Sequence, residues 1–216
     1  MSIEHHPPDA MLATFAAGAL DHGQHIGIAT HLVACPQCRA FMRAMEHTGG
    51  AMLASLPPAA MPGDALKQVE ARLSEQASQA AHSPTPNAVA TEVPGLPQFV
   101  RGYRFGNWKW VAPSLHLRPI ELPHDSDTRV FLLRAGPGVK LLQHTHIGIE
   151  MTCILSGAFG HGGGHYGPGD FDLGDETVDH QPIVDPDQEC ICLVAMQGKL
   201  RLNGFLGRLM QPFVRL

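Results

Sequence analysis

The sequence predicts an α+β chain of two parts, a small helical unit followed by an antiparallel β-barrel. Two observations predict it, a change of periodicity and what lies at the change. Apolar residues recur at helical spacing from Pro7 to about Gln79. Beyond residue 98 they fall in short runs near period two, broken by Gly, Pro and Asp. Between these regions, residues 80–98 hold four prolines and little apolar pattern, which reads as a linker. The expected division is therefore 1–79, a linker at 80–98, and 99–216.

In the first part Asp9 is the expected N-cap of a helix with Met11, Leu12, Phe15, Ala16 and Ala19 on one stripe, weakened at Gly18. Asp21 with Gln24 resembles a capping box, opening a second helix whose apolar face would be Ile26, Ala29, Leu32 and Val33. Pro36 suits the first position of a third helix, with Phe41, Met42 and Met45 inward. Gly49-Gly50 and Pro57-Pro58 then interrupt. Asp64 can cap a fourth helix carrying Leu66, Val69 and Leu73 on one face and Lys67, Glu70, Arg72 and Glu75 on the other. That stripe either packs on its own bundle or is kept for a partner.

Strands are expected at 114–120, 128–135, 149–155 and 189–196, many short strands with turns between them indicating a sandwich or barrel. The apolar tail, 200–216, would end in a short helix around 206–210.

Composition narrows the function classes. A net charge of −5 offers no basic face for nucleic acid. No apolar run approaches the roughly 20 residues needed to span a bilayer, and the first nine residues lack the regions of a signal peptide. Five cysteines, two of them in Cys-x-x-Cys, favour thiols and metal in a reducing compartment, hence the cytoplasm.

The first chemical motif is His31-x3-Cys35-x2-Cys38. If it straddles the break between the second and third helices, the three side chains converge, and Cys35 sits at a helix N-terminus that favours thiolate. Two thiolates and an imidazole suit a structural zinc, which wants four closed positions. His6 or His5 is the nearest fourth ligand. A redox pair lacks its usual βαβ context here. Unligated buried thiols would leave so small a helical core without the folding energy a metal supplies.

The second motif is Gly138-x5-His144-x-His146-x3-Glu150-x6-Gly157. Residues two apart on a strand face the same side, and Glu150 shares their parity. This stretch resembles the first motif of the cupins, small antiparallel β-barrels. The run from Gly162 to Pro168-Gly169-Asp170 resembles the start of the second motif. His180 falls where that motif's histidine is expected, although farther past the turn than the usual pattern. Three histidines and a glutamate accept zinc or another divalent transition metal. His161 and His165, in GHGGGHYG, read as an exposed turn rather than a further site. Cys190 and Cys192 alternate on a strand, as small core residues or as a thiol pair open to oxidation. Cys153 reads as core.

The order of the two motifs resembles the ChrR-type zinc-binding anti-sigma factors nearly end to end. The likeness includes His5-His6, THLVACPQCRA, GIEMTCILSGAF, CICL and the closing LMQPFVRL. The resemblance implies His6 as the fourth N-terminal zinc ligand, and an anti-sigma factor rather than an enzyme. It also implies a 1:1 complex with an extracytoplasmic-function (group IV) sigma factor, in which the fourth helix inserts between two sigma domains. The cupin would then release the partner on an oxidative signal such as singlet oxygen. A metal-dependent cupin enzyme, a dioxygenase or isomerase with a helical appendage, is the rival from another class. Against it, the sequence locates no further acid/base pair or substrate-anchoring arginine cluster in the pocket; Arg118, Arg129 and Arg134 lie on expected strands without a defined facing. A DNA-binding regulator would need a basic recognition helix that the sequence lacks.

Overall fold

The computed structural model describes residues 2–79, 92–122 and 126–202, so the tail from 203 onward and its expected helix lie outside the described residues, while 200–202 continue the last strand. Four helices come first: α1 (Asp9–Ala16), α2 (His22–Ala34), α3 (Pro36–Ala54) and α4 (Ala65–Gln79). Ten strands follow: β1 (Arg104–Phe105), β2 (Lys109–Ala112), β3 (Leu115–Glu121), β4 (Thr128–Ala135), β5 (His144–Ser156), β6 (Phe159–His161), β7 (Gly164–Tyr166), β8 (Phe171–Gly174), β9 (Ile183–Val184) and β10 (Cys190–Leu202).

Helices α1, α2 and α3 pack together as a three-helix bundle. Pro8, not Asp9, precedes α1, and no side chain caps it. Asp21 caps α2 by accepting the Gln24 backbone N–H at 2.9 Å, and its second oxygen accepts the Thr128 hydroxyl at 2.6 Å. Gln24 does not close the box; its amide reaches Gln197 at 3.3 Å instead. Helix α3 continues through Gly49-Gly50, where the sequence suggested an interruption. Two glycines cost roughly 2 kcal/mol against alanine, less than ends a helix otherwise built of Arg, Met, Glu and Ala.

The strands form two sheets with every pairing antiparallel. The larger runs β1-β3-β4-β10-β5-β8 with β2 beside β3, and the smaller runs β7-β6-β9. The sheets face each other in cupin-like fashion, and the ladder among the described residues does not close into a continuous barrel. All four expected strands are present, but β5 and β10 are both 13 residues long. Their ladder pairs Gly148 with Gly198. Both have positive φ, and a Cβ at either would strike the opposing strand's backbone. One strand thus carries Glu150 on one side of this glycine pair and His144 and His146 on the other, all of one parity.

Helix α2 lies across β4, β5 and β10. This rotates its buried face from the expected one: Gly23, Ile26, Gly27, Ile28, Thr30 and His31 are buried, while Val33 is 57% exposed. A helix covered by a bundle on one side and a sheet on the other shows no single stripe. The two parts consequently share one core, in which Leu12, Ile26 and Met42 join Val130, Leu132, Met151, Leu193 and Ala195. Val93 and Leu96, within the expected linker, are also buried in it. The large sheet is thus covered on both faces, the helices on one and the small sheet with an internal chamber on the other, which accounts for unbroken apolar runs such as VFLL and CICLVAM.

The close approach of α2 gives a test. A Cβ on Gly23 would lie 2.7 Å from both Cβ and the carbonyl oxygen of Thr128, whereas one on Gly49 would meet nothing within 4 Å among the described residues. Gly23→Ala is expected to lower stability by about 1–3 kcal/mol, and Gly49→Ala to raise it by up to about 1 kcal/mol. Denaturation midpoints compared on the two proteins decide this. Equal midpoints would mean the helix does not need that contact.

Candidate metal centres

The end of α2 and the start of α3 place the first cluster. Cys35 ends one helix and caps the next, its sulfur accepting the Cys38 N–H at 3.4 Å. His6 arrives on the extended N-terminal segment. Its Nδ1 lies 3.4 Å from the Cys35 sulfur and 3.5 Å from that of Cys38, while His31 Nε2 lies 3.3 Å from Cys38. Four donors at zinc bond lengths in a tetrahedron stand about 3.5 Å apart for a nitrogen–sulfur edge, so the spacing fits zinc. His31 is fully buried and its Nδ1–H donates to the Gly169 carbonyl at 2.8 Å, leaving Nε2 as a free lone pair aimed at the cluster. Burial lowers the His31 pKa to about 4, which keeps the ring a neutral donor. Burial, with the neighbouring Cys35, pushes the Cys38 thiol up to about 12. Without a cation the thiol holds its proton; with one the thiolate is the ligand. His5 takes no part, since its ring stacks on Tyr166 at 4.1 Å and its Nε2 meets the His165 carbonyl.

The second cluster sits where β5 begins. His144 and His180 exchange both backbone hydrogen bonds at 3.1 Å, an isolated bridge that holds the long excursion after β8 against β5. That bridge sets His180 beside the pair despite its unusual distance from the Pro-Gly turn. His180 Nε2 lies 3.0 Å from His144 Nε2 and 3.2 Å from His146 Nε2, all three residues buried. His144 Nδ1–H donates to the Leu142 carbonyl at 2.7 Å. Nδ1 of His146 and of His180 are buried without a hydrogen-bond partner among the described residues. Burial and then the His144 ring lower the His146 and His180 pKa values to about 4. Three neutral imidazoles converging through their Nε2 atoms fit a divalent transition metal.

Glu150 stands slightly apart from these three. Its nearest oxygen is 3.8 Å from His146 Nδ1, and Thr152 donates to the other at 3.3 Å. Burial, with Asp172 nearby, raises its pKa to about 7. The chamber beyond is lined by Glu150, Asp172, Phe159, Cys190 and Cys192 among others. The two cysteine sulfurs lie 3.5 Å apart and both residues are buried. The Cys192 thiol is held well above its ordinary pKa by its contact with Cys190 and by burial. Buried Cys153 is pushed up to about 12.

His161 is not in an exposed turn. It ends β6 with its side chain 9% exposed, bonds Asp172 at 2.8 Å, and meets the His180 ring edge-on at a centroid distance of 4.6 Å. With Asp172 and His180 it forms a further group of close donors. The alternation G-H-G-G-G-H-Y hid it, because glycines read as loop whether or not a hairpin folds over a pocket. His165 does stay out, 64% exposed beside Asp185.

Leu66, Val69 and Leu73 are 71%, 53% and 60% exposed, so the α4 stripe does not pack on its own bundle. Met52, Leu53, Leu56 and Met61 leading into it are exposed as well. Their place past the glycine pair disguised them as connection. No arginine lines the chamber among the described residues. Arg134 pairs with Glu189, Arg118 donates to the Gly106 carbonyl, and Arg129 to that of Gly198.

The chain is 34% identical over all 216 residues to the anti-sigma-E factor ChrR of Cereibacter sphaeroides, with both chains covered in full. It belongs to the ChrR family. A family model for the ChrR cupin-like domain matches residues 103–200. The crystal structure of Rhodobacter sphaeroides SigE in complex with the anti-sigma ChrR contains a similar chain. The likeness there has a TM-score of 0.72 at 28% identity, over 90% of this chain and 99% of that one. No helix among the described residues is long and apolar enough to cross a membrane.

Metal analysis on two variants separates the clusters. Cys35→Ala/Cys38→Ala is expected to carry about one metal ion fewer than the parent and to lose helical signal. His144→Ala/His180→Ala is expected to lose the other ion and keep its helices. Equal metal content in the parent and the cysteine variant would remove zinc from the first cluster.

Proposed function

We propose that the chain is a zinc-dependent anti-sigma factor that holds an extracytoplasmic-function (group IV) sigma factor in a 1:1 cytoplasmic complex. The observation that carries this is the exposed apolar stripe Leu66, Val69 and Leu73 on a helix that its own bundle leaves uncovered, in a chain alike end to end to an anti-sigma factor. An apolar helix face left in water costs free energy until a groove receives it. In this reading residues 1–79 are the partner-binding unit. Zinc on His6, His31, Cys35 and Cys38 joins the N-terminal segment to the α2–α3 break and keeps α3 aimed so that its end and α4 project as one surface.

Residues 99–216 are then the sensing unit. A divalent metal on His144, His146, His180 and Glu150 would supply the reactive centre. Cys190 and Cys192, lining the same chamber, are the thiols an oxidant such as singlet oxygen would meet there. Their depth means that only a small species reaches them.

Leu66→Asp/Leu73→Asp is expected to weaken sigma binding at least tenfold, as loss of central apolar anchors does, and to leave the melting temperature unchanged because neither residue is packed. Titration calorimetry against a candidate sigma factor measures it; undiminished affinity sinks the docking assignment. For the sensor, Cys190→Ser/Cys192→Ser and the His144→Ala/His146→Ala pair are expected to slow oxidant-induced release of a pre-formed complex by about tenfold or more, a change of roughly 1.4 kcal/mol in barrier. Release at the parent rate in both would move sensing out of the chamber.

A further inference from the structure

The N-terminal cluster is not assembled by the helical unit alone. The turn between β7 and β8 reaches into it. The Gly169 carbonyl accepts a hydrogen bond from His31 Nδ1–H at 2.8 Å. Asp170, 6% exposed, accepts the backbone N–H groups of Glu4 and His5 on one carboxylate oxygen at 2.8 and 2.9 Å, and its other oxygen holds Gly167 N–H at 2.8 Å. Phe171 N–H donates to the His5 carbonyl at 3.1 Å. The segment that delivers His6 is therefore clamped at its two preceding residues by the β unit. The turn itself is anchored to β5, through Gly169 N–H to the Ile154 carbonyl and Ile154 N–H to that of Asp170.

The same short stretch ends at the other cluster. Asp172 holds His161, whose ring abuts His180. Gly174 is a glycine where a Cβ would stand 2.6 Å from His146 Nε2, so the strand is in contact with that ring. Eight residues, 167 to 174, thus touch both clusters, with Gly169 and Asp170 at one end and Asp172 and Gly174 at the other. We propose that this strip completes the N-terminal zinc site from outside and couples it to the β-unit cluster. Asp170 positions the His6 segment, Gly169 orients His31, and a shift of β8 at the second cluster loosens zinc at the first.

The proposal deepens the anti-sigma reading and rests on its zinc assignment, but not on sigma binding. It supplies a route for release. A disturbance at the chamber moves β8, the clamp on Glu4 and His5 slackens, and His6 leaves the cluster that aims α3 and α4.

The test is zinc transfer from the metal-loaded full chain to a chromophoric chelator, with the β-unit metal and the melting temperature followed on the same samples. Asp170→Ala is expected to release the N-terminal zinc about 10–100-fold more readily than the parent, the usual effect of losing an outer-shell partner. Its β-unit metal should be retained. Asp170→Asn keeps the side chain's shape and one acceptor oxygen; it should fall between the two and decides the matter if the alanine variant does not fold. His144→Ala, which disrupts the second cluster, should speed transfer from the first about fivefold or more, as coupled sites do. Transfer within twofold of the parent in Asp170→Asn and His144→Ala would overturn the proposal. Loss of both metals together in Asp170→Asn would also overturn it, showing a general role in folding. A parent chain that takes up no zinc at the cysteines would instead overturn the zinc assignment.

Discussion

Helix α2 is buried on two opposite sides, and most of the molecule's organisation follows from that constraint. One side meets α1 and α3; the other lies on β4, β5 and β10, close enough that a Cβ on Gly23 would collide with Thr128 and one on Gly27 would press on Ala195 at 3.2 Å. A helix in this position cannot tumble independently of the sheet. Whatever it carries at its C-terminal end is therefore referenced to the β unit. His31, in its last turn, is fully buried and spends one ring nitrogen on the Gly169 carbonyl and the other on the cysteine cluster.

A small helical bundle would ordinarily be too poor in core to hold two cysteines and two histidines within bonding distance of one ion. Here the burden is divided. The α2–α3 break presents His31, Cys35 and Cys38; the β7–β8 turn presents the Gly169 carbonyl that meets His31 and the Asp170 carboxylate that holds the residues before His6; and zinc, in the proposed reading, closes the arrangement. Surface that a self-sufficient bundle would have used for its own core is left over at the end of α3 and along α4. This is the physical sense in which a metal-held scaffold can offer an apolar face to a partner.

The β unit shows a complementary economy. Its large sheet is apolar on both faces, and burial drives the titratable groups of the chamber behind it toward their neutral forms: Glu150 upward, His144, His146 and His180 downward, Cys192 upward. Neutral imidazoles and protonated thiols are inert toward each other. They become ligands or redox partners only when a cation or an oxidant enters.

Much of this was legible in the chain. The change of period at residue 98 marks helix from strand. His31-x3-Cys35-x2-Cys38 needs only a helix break to converge, and His144-x-His146 needs only a strand; both are local geometry, which sequence spacing encodes directly. The resemblance to the ChrR-type proteins selected His6 over His5. The tertiary structure decided what depends on distant segments meeting. It rotated the buried face of α2, because burial on a second side erases the stripe that a pattern search relies on. It put Val93 and Leu96 into the core, brought His180 to His144 by an isolated bridge, and raised His161 from an apparent loop to a neighbour of His180. It also ran one strip of β8 between the two clusters. Contacts of that kind lie between residues 138 or 165 positions apart, as with His31 to Gly169 and His5 to Asp170. No periodicity reaches that far, because such contacts are chosen by which faces remain unburied once the local elements have formed.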